Sequence, residues 1–168
     1  MSARKAFTLV EILIVVVILG ILAAIVLPKF SNASAIARAS MLADDLRVIR
    51  MQLSIYRGQH TGGGPGYPEG DVDGEPTEAD FIAAMTLASN VVGETAALGT
   101  PGYRFGPYLR EVPPNPVNGR TSVQIIADGA AFPAAADDSH AWIYQPSTLL
   151  LKADCPGTDD RGRAYFDY

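Results

Sequence analysis

FTLVEILIVVVILGILAAIVLP, residues 7–28, is apolar from end to end apart from Thr8 and a single acid, Glu11. From Ile12 to Leu27, sixteen consecutive residues carry neither a charge nor a hydrogen-bonding side chain. At about 1.5 Å per helical residue, 22 residues reach roughly 33 Å, the thickness of a bilayer's hydrocarbon core. Arg4 and Lys5 precede the run and Lys29 alone follows it closely. That bias keeps the N-terminus cytoplasmic and exports the remainder, so the expectation is a single-pass membrane protein with an exported head.

The rest of the 168-residue chain is different in kind. Overall it is 48% hydrophobic and 18% charged, with a net charge of −5, which fits about one domain and excludes a disordered polyelectrolyte. Much of the apolar content is the one segment. The pI is near 4.9 and the chain has three lysines, Lys5, Lys29 and Lys152, too few clustered bases to neutralise phosphates, so nucleic acid is not an expected partner. One cysteine, Cys155, allows no intramolecular disulfide and no Cys-rich metal site.

Three readings of the N-terminus compete. A cleaved secretory signal would use Ala33-Ser34-Ala35 as its cut site, but its apolar core is normally 7 to 15 residues. A plain single-span anchor explains the length and leaves Glu11 without a reason, because a carboxylate in hydrocarbon costs a few kcal/mol. The third reading is a resemblance. Lys5-Ala6-Phe7-Thr8-Leu9-Val10-Glu11 ahead of the apolar run resembles the class III signal of type IV pilins and of the pseudopilins of type II secretion. It combines a basic leader, a small residue before the cut, Phe after it, Thr-Leu, and Glu four residues past the Phe.

The resemblance implies cleavage by a prepilin peptidase between Ala6 and Phe7, loss of a leader of residues 1–6, and N-methylation of Phe7. The family nearly always has Gly before the cut; this chain has Ala6, the next smallest residue. The resemblance also implies an assembly role for Glu11, whose carboxylate would pair with the Phe7 ammonium of its own or a neighbouring subunit. A buried charge is far cheaper when paired, so such a pair sets register. Gly20 and Pro28 sit where the family weakens this helix, and Pro28 removes a helical hydrogen bond.

Beyond Lys29, apolar residues recur at steps of three and four (Ile36, Ala39, Leu42, Ala43, Leu46, Ile49, Leu53, Tyr56) and no Gly or Pro occurs through Arg57. One helix is therefore expected from Phe7 to Arg57: residues 7–28 as a transmembrane and assembly half, residues 29–57 as an amphipathic half carrying a head of residues 58–168. Residues 29–57 hold five bases and two acids; residues 58–80 hold six acids and no base. Such patches attract neighbouring subunits or stand as separate solvated faces.

The head reads as α+β. His60 to Pro76, rich in Gly and Pro, is a loop. Thr77 and Asp80 form a capping box for a short helix to about Asn90, and Gly93 to Gly106 is loop again. Strands are expected at Thr121–Ala127, Ala141–Tyr144, Thr148–Ala153 and Ala164–Asp167, the middle two joined as a hairpin at Gln145-Pro146-Ser147. Trp142 and Tyr144 share a face that covers the helix stripe. The whole resembles a pilin-like fold, a long N-terminal helix on a small antiparallel sheet. GPYLREVPPNP, residues 106–116, is similar to the approach to the sheet in major pseudopilins, and the missing disulfide pair leans away from a major pilin.

Two histidines, one cysteine and no nucleophile elbow or His-Glu-x-x-His pattern give no basis for an enzyme. Major pseudopilins commonly hold calcium near the C-terminus; the candidates here are Asp154, Asp159 and Asp160, in a loop unlike the family's usual one, with Asp71-Val72-Asp73-Gly74-Glu75 as a second acidic loop. Calcium is the one candidate cofactor. The resemblance thus implies a structural subunit of a type II secretion pseudopilus that polymerises with itself and with minor pseudopilins on an inner-membrane assembly platform. The rivals are a type IV pilin for adhesion, motility or DNA uptake, and a tethered periplasmic binding domain.

Overall fold

The apolar repeat in the second half of the long helix becomes the spine of the head. In the computed structural model, which describes residues 8–168 apart from the side chains of residues 26–32, helix α1 runs Leu9–Gln59. Leu42, Leu46, Ile49, Leu53 and Tyr56 are all buried, as their spacing requires of one helix face. α1 passes through Gly20 and Pro28 without interruption. The chain divides into two units, Met1–Ala37 and Arg38–Tyr168, so the second unit takes in the last part of α1 as well as the expected head.

Thr77 caps α2 (Glu78–Thr86): its hydroxyl accepts from the Asp80 N–H at 3.1 Å, which is one half of the expected capping box; the Asp80 carboxylate takes the Thr77 hydroxyl, and the Thr77 N–H donates instead to the Gly66 carbonyl at 2.9 Å. α2 stops at Thr86 rather than near Asn90, because the chain there turns into β1 (Ala88–Ser89), which pairs antiparallel with β2 (Thr95–Ala96). The stretch expected as loop from Gly93 thus contains a strand. Asn90 makes the turn between them, its Oδ1 accepting the N–H groups of Val92, Gly93 and Glu94.

The second sheet is β3 (Val123–Ile125), β4 (Trp142–Gln145) and β5 (Leu150–Ala153), in that order. β4 and β5 form the expected hairpin, with Trp142 opposite Ala153 and Tyr144 opposite Leu151. β3, however, runs parallel to β4, so the sheet is mixed and the connection of residues 126–141 is a crossover, not a tight turn. The final expected strand is instead a 3-10 turn, Tyr165–Asp167, tied down by one isolated bridge between Thr158 and Ala164.

Trp142 and Tyr144 lie wholly inside, in one apolar cluster with the α1 stripe, Phe81, Met85 and Leu151. Ile143, on the opposite face of β4, is buried too. Both sheet edges are blunted by helix side chains. Glu78 accepts the Val123 N–H at 2.7 Å, and Arg50 donates from Nη2 and Nε to the Leu151 carbonyl at 2.7 and 3.1 Å. Groups that would otherwise recruit another strand are so occupied.

At the end of α1, His60 is buried between rings: it stacks on Tyr56 at 3.8 Å and meets Phe105 and Tyr108 edge-on. Its Nδ1 lies 2.7 Å from the Tyr56 carbonyl, which can only accept, so Nδ1 carries the proton and Nε2 accepts from the Ser89 hydroxyl at 2.9 Å. Burial lowers its pKa below 6.5, against a smaller opposing effect of the Tyr56 bond. The unfolded chain therefore binds a proton that the folded one resists. Stability contributed here is intact above pH 6.5 and is lost as the pH falls from there through the lower folded value. Urea midpoints at pH 7.5 and 5.5 test this: His60→Gln is expected to reduce the difference between them, and an unchanged difference overturns the assignment.

Candidate functional site

The N-terminal segment is the first candidate. Thr8 precedes α1 and Glu11 sits three residues on. The Thr8 N–H and hydroxyl donate to Glu11 Oε2 at 3.0 and 3.1 Å, and the Glu11 N–H donates back to Thr8 Oγ1 at 3.2 Å. This is a complete capping box, Thr-Leu-Val-Glu, with the acid placed at the positive end of the helix. The four-residue signature is legible in the sequence, but there Glu11 draws its explanation from a partner ammonium alone. Thr8 is the functional residue that explanation missed. Among the described residues Oε1 of Glu11 takes no hydrogen bond. Residues 1–7, Ala6 and Phe7 among them, lie outside the described residues, as does the side chain of Pro28.

Behind the cap, every Leu, Ile and Val from Leu9 to Ile25 is exposed, by 49–83%. No face of this segment is favoured over another. Full burial is worth roughly 1.5–3 kcal/mol for each such side chain. Among the described residues no helix is long and apolar enough to cross a membrane. Gly20 has open space around it.

The second candidate was calcium. The structure does not gather Asp154, Asp159 and Asp160: among the described residues no three acids, histidines or cysteines converge to hold a metal. Asp154 is fully buried, and its two oxygens accept the N–H groups of Asp137, Asp138, Ser139 and His140 at 2.8 to 3.2 Å. Asn118 closes the same knot, its Nδ2 sharing two hydrogens among Asp138 and the carbonyls of His140 and Asp154, each 2.9 Å away. The carboxylate works as an anion in a cup of amides, the reverse of a cation ligand's surroundings. Asp159 similarly accepts from the Arg161 and Arg163 N–H groups and the Tyr168 hydroxyl, chiefly the last of which lowers its pKa. Asp160 is exposed. In the second acidic loop, Asp71 accepts the Asp73 N–H. Asn118 and the knot at Asp154 had no sequence signal beyond polar residues near Gly and Pro.

The profile of the prokaryotic N-terminal methylation motif matches residues 1–27. Type II secretion system core protein G of Pseudomonas aeruginosa is 41% identical over 54 residues, 32% of this chain and 38% of that protein. A fimbrial protein of Moraxella nonliquefaciens is 38% identical over 51% of each chain. The type IV major pilin protein PilE1 of Neisseria gonorrhoeae is 30% identical over 54% of this chain and 43% of its own length. The matches thus span about half or less of these relatives, and no solved structure matches. Over those stretches the chain is similar to pilins and to a type II secretion core protein.

Two outcomes follow from this geometry. Thr8→Val is expected to destabilise the first turn of α1 by about 1 kcal/mol, while Thr8→Ser leaves it intact; amide exchange at Glu11 and Ile12 in micelles reads the difference. Asp154→Ala leaves buried N–H groups unpaired and is expected to cost roughly 3 kcal/mol or more of head stability, read from denaturant midpoints.

Proposed function

We propose that the chain is a structural subunit of a type II secretion pseudopilus. Prepilin peptidase cuts between Ala6 and Phe7, Phe7 is methylated, and the capped apolar helix holds the subunit in the inner membrane until it joins a periplasmic filament. The observation that carries this is the all-round exposure of Leu9–Ile25 directly behind the Thr8–Glu11 cap. Lipid covers such a surface before assembly and the helices of other copies, with minor pseudopilins, cover it afterwards.

Glu11 then has two tasks in this reading. One oxygen closes its own helix; the other faces the ammonium of Phe7, its own or a neighbour's. The cap fixes the direction of the carboxylate, which is what a register contact needs. The subunit makes and breaks no covalent bond itself, and polymerises on an inner-membrane platform. Calcium, if taken up by this head, would need donors other than the occupied Asp154.

Secretion is favoured over a pilus by the segment Gly106–Pro116. What supports it is the resemblance of this segment to the sheet approach of major pseudopilins; in this head Tyr108 stands edge-on to Tyr56 and donates to Gln59 at 2.7 Å, and Pro113 accepts the Trp142 indole N–H at 2.9 Å. The second reading is a type IV pilin, supported by the fimbrial relatives. Mass spectrometry of the native N-terminus tests the common part: methylated Phe7 is expected, whereas a start near Ile36, or a retained Met1 or Ser2, overturns it. Glu11→Ala is expected to keep membrane insertion and lose most filament incorporation; normal incorporation removes Glu11 from the assembly role.

A further inference from the structure

The chain has one Asn-Gly pair, Asn118-Gly119, in the loop that leads from Pro113-Pro114 to β3. An asparagine before glycine is the pair most open to deamidation, because no Cβ shields the glycine nitrogen from the neighbouring carboxamide. Here the pair is built into the frame of the head. The Asn115 N–H donates to the Arg120 carbonyl at 2.9 Å, closing the loop, and the Gly119 N–H donates to the Asn115 carbonyl at 2.7 Å. Asn115 is itself fully buried, and its Nδ2 donates to the Ala141 carbonyl at 2.9 Å. Oδ1 of Asn118 accepts the Arg120 N–H at 3.0 Å, while Nδ2 is shared among Asp138 Oδ1 and the carbonyls of His140 and Asp154.

These contacts bear on both ends of the reaction. Deamidation requires the Gly119 nitrogen to lose its proton and to meet Cγ of Asn118. In the folded head that proton is held by Asn115, and the carboxamide is held at its oxygen and its nitrogen alike. The product is equally constrained. Nδ2 is the donor to three acceptors, and a carboxylate in its place has no proton to give them. The new charge would face the Asp138 carboxylate and lie beside the fully buried Asp154. Arg120, whose Nε stands 3.7 Å from Asp138 and whose side chain is 46% exposed, is too well solvated to offset this.

We propose that Asn118 is a latent deamidation site: the native head keeps it closed, the unfolded chain opens it, and the carboxylate formed there bars the return to the native fold. In the opened chain the Gly119 nitrogen, its proton passed to hydroxide, attacks Cγ of Asn118. The new C–N bond closes a cyclic imide, and Nδ2 leaves as ammonia. Water then adds to either imide carbonyl and breaks that carbonyl's bond to nitrogen, giving aspartate or isoaspartate. The net change is water in and ammonia out. The isoaspartate form, with one more carbon in the main chain, also draws the Gly119 N–H away from Asn115. The pair thus limits how long a head can stay unfolded and still be recovered.

The test ages the full chain in detergent micelles at pH 8.5, with and without urea, and reads Asn118 by peptide mapping with mass spectrometry. Deamidation is expected to run about tenfold faster or more in urea; equal rates overturn the shielding. After urea is removed and protease added, modified chains are expected in the sensitive fraction and unmodified ones in the resistant fraction. An even distribution overturns the barrier to refolding. Asn118→Asp is expected to lower the urea midpoint at pH 7.5, with a gap from wild type that narrows at pH 4.5, where a protonated carboxyl donates as the amide did. A midpoint equal to that of wild type, or a gap that does not narrow, overturns the charge account. If this variant does not fold at pH 7.5, the sorting of aged wild-type chains decides.

Discussion

The packing of one α1 stripe beneath a single strand is the contact on which the head depends. Leu42, Leu46, Ile49, Leu53 and Tyr56 meet Trp142 and Tyr144, and nearly every other element is placed by reference to that pair. α2 brings Phe81 to within 4.8 Å of the Tyr144 ring, centroid to centroid. The sheet is only three strands, with β3 three residues long, and would not stand alone. Burial on both faces of β4 compensates, and the side chains of Glu78 and Arg50 finish the edges. Arg50 also donates to the Tyr168 main-chain oxygen at 2.9 Å, so the helix reaches the last turn of the head as well as its sheet.

The two parts of α1 answer to different physics. From Arg38 onward its inward face has a partner in the same chain, and the burial of that face stabilises a small domain. From Leu9 to Ile25 the apolar side chains are exposed on every side of the helix. The Thr8–Glu11 cap belongs to the second part. It pairs donors at the helix start that water would no longer reach once the segment is covered.

The helices were readable because their signals are periodic and local: the α1 stripe, the Thr77–Asp80 box, and the unbroken run to the end of α1. The hairpin at residues 145–149 was readable from its punctuation. What escaped was non-local. Nothing in Val123–Ile125 distinguishes a parallel neighbour from an antiparallel one, because β3's direction is set by the course of residues 126–141 and by the amide cup around Asp154. The last strand failed for a related reason: Ala164–Asp167 has strand-like residues but no free edge, Arg50 having already occupied the Leu151 carbonyl. At the N-terminus the charged residue was legible and its hydroxyl partner was passed over, since Thr8 reads as part of a motif before it reads as a cap.

The cup around Asp154 grips residues 137–140 almost wholly through backbone N–H groups, with only the Ser139 hydroxyl as a side-chain donor. Main-chain amides are the same whatever residue bears them. The cup itself is therefore indifferent to lettering, but Asp138, at φ +61° and held through its carboxylate by Asn118 and Arg120, is not, so the loop keeps its place only under substitutions that spare Asp138. One buried carboxylate thus frames the crossover through its backbone, while the side chain of Asp138 ties the same loop to Asn118 and Arg120.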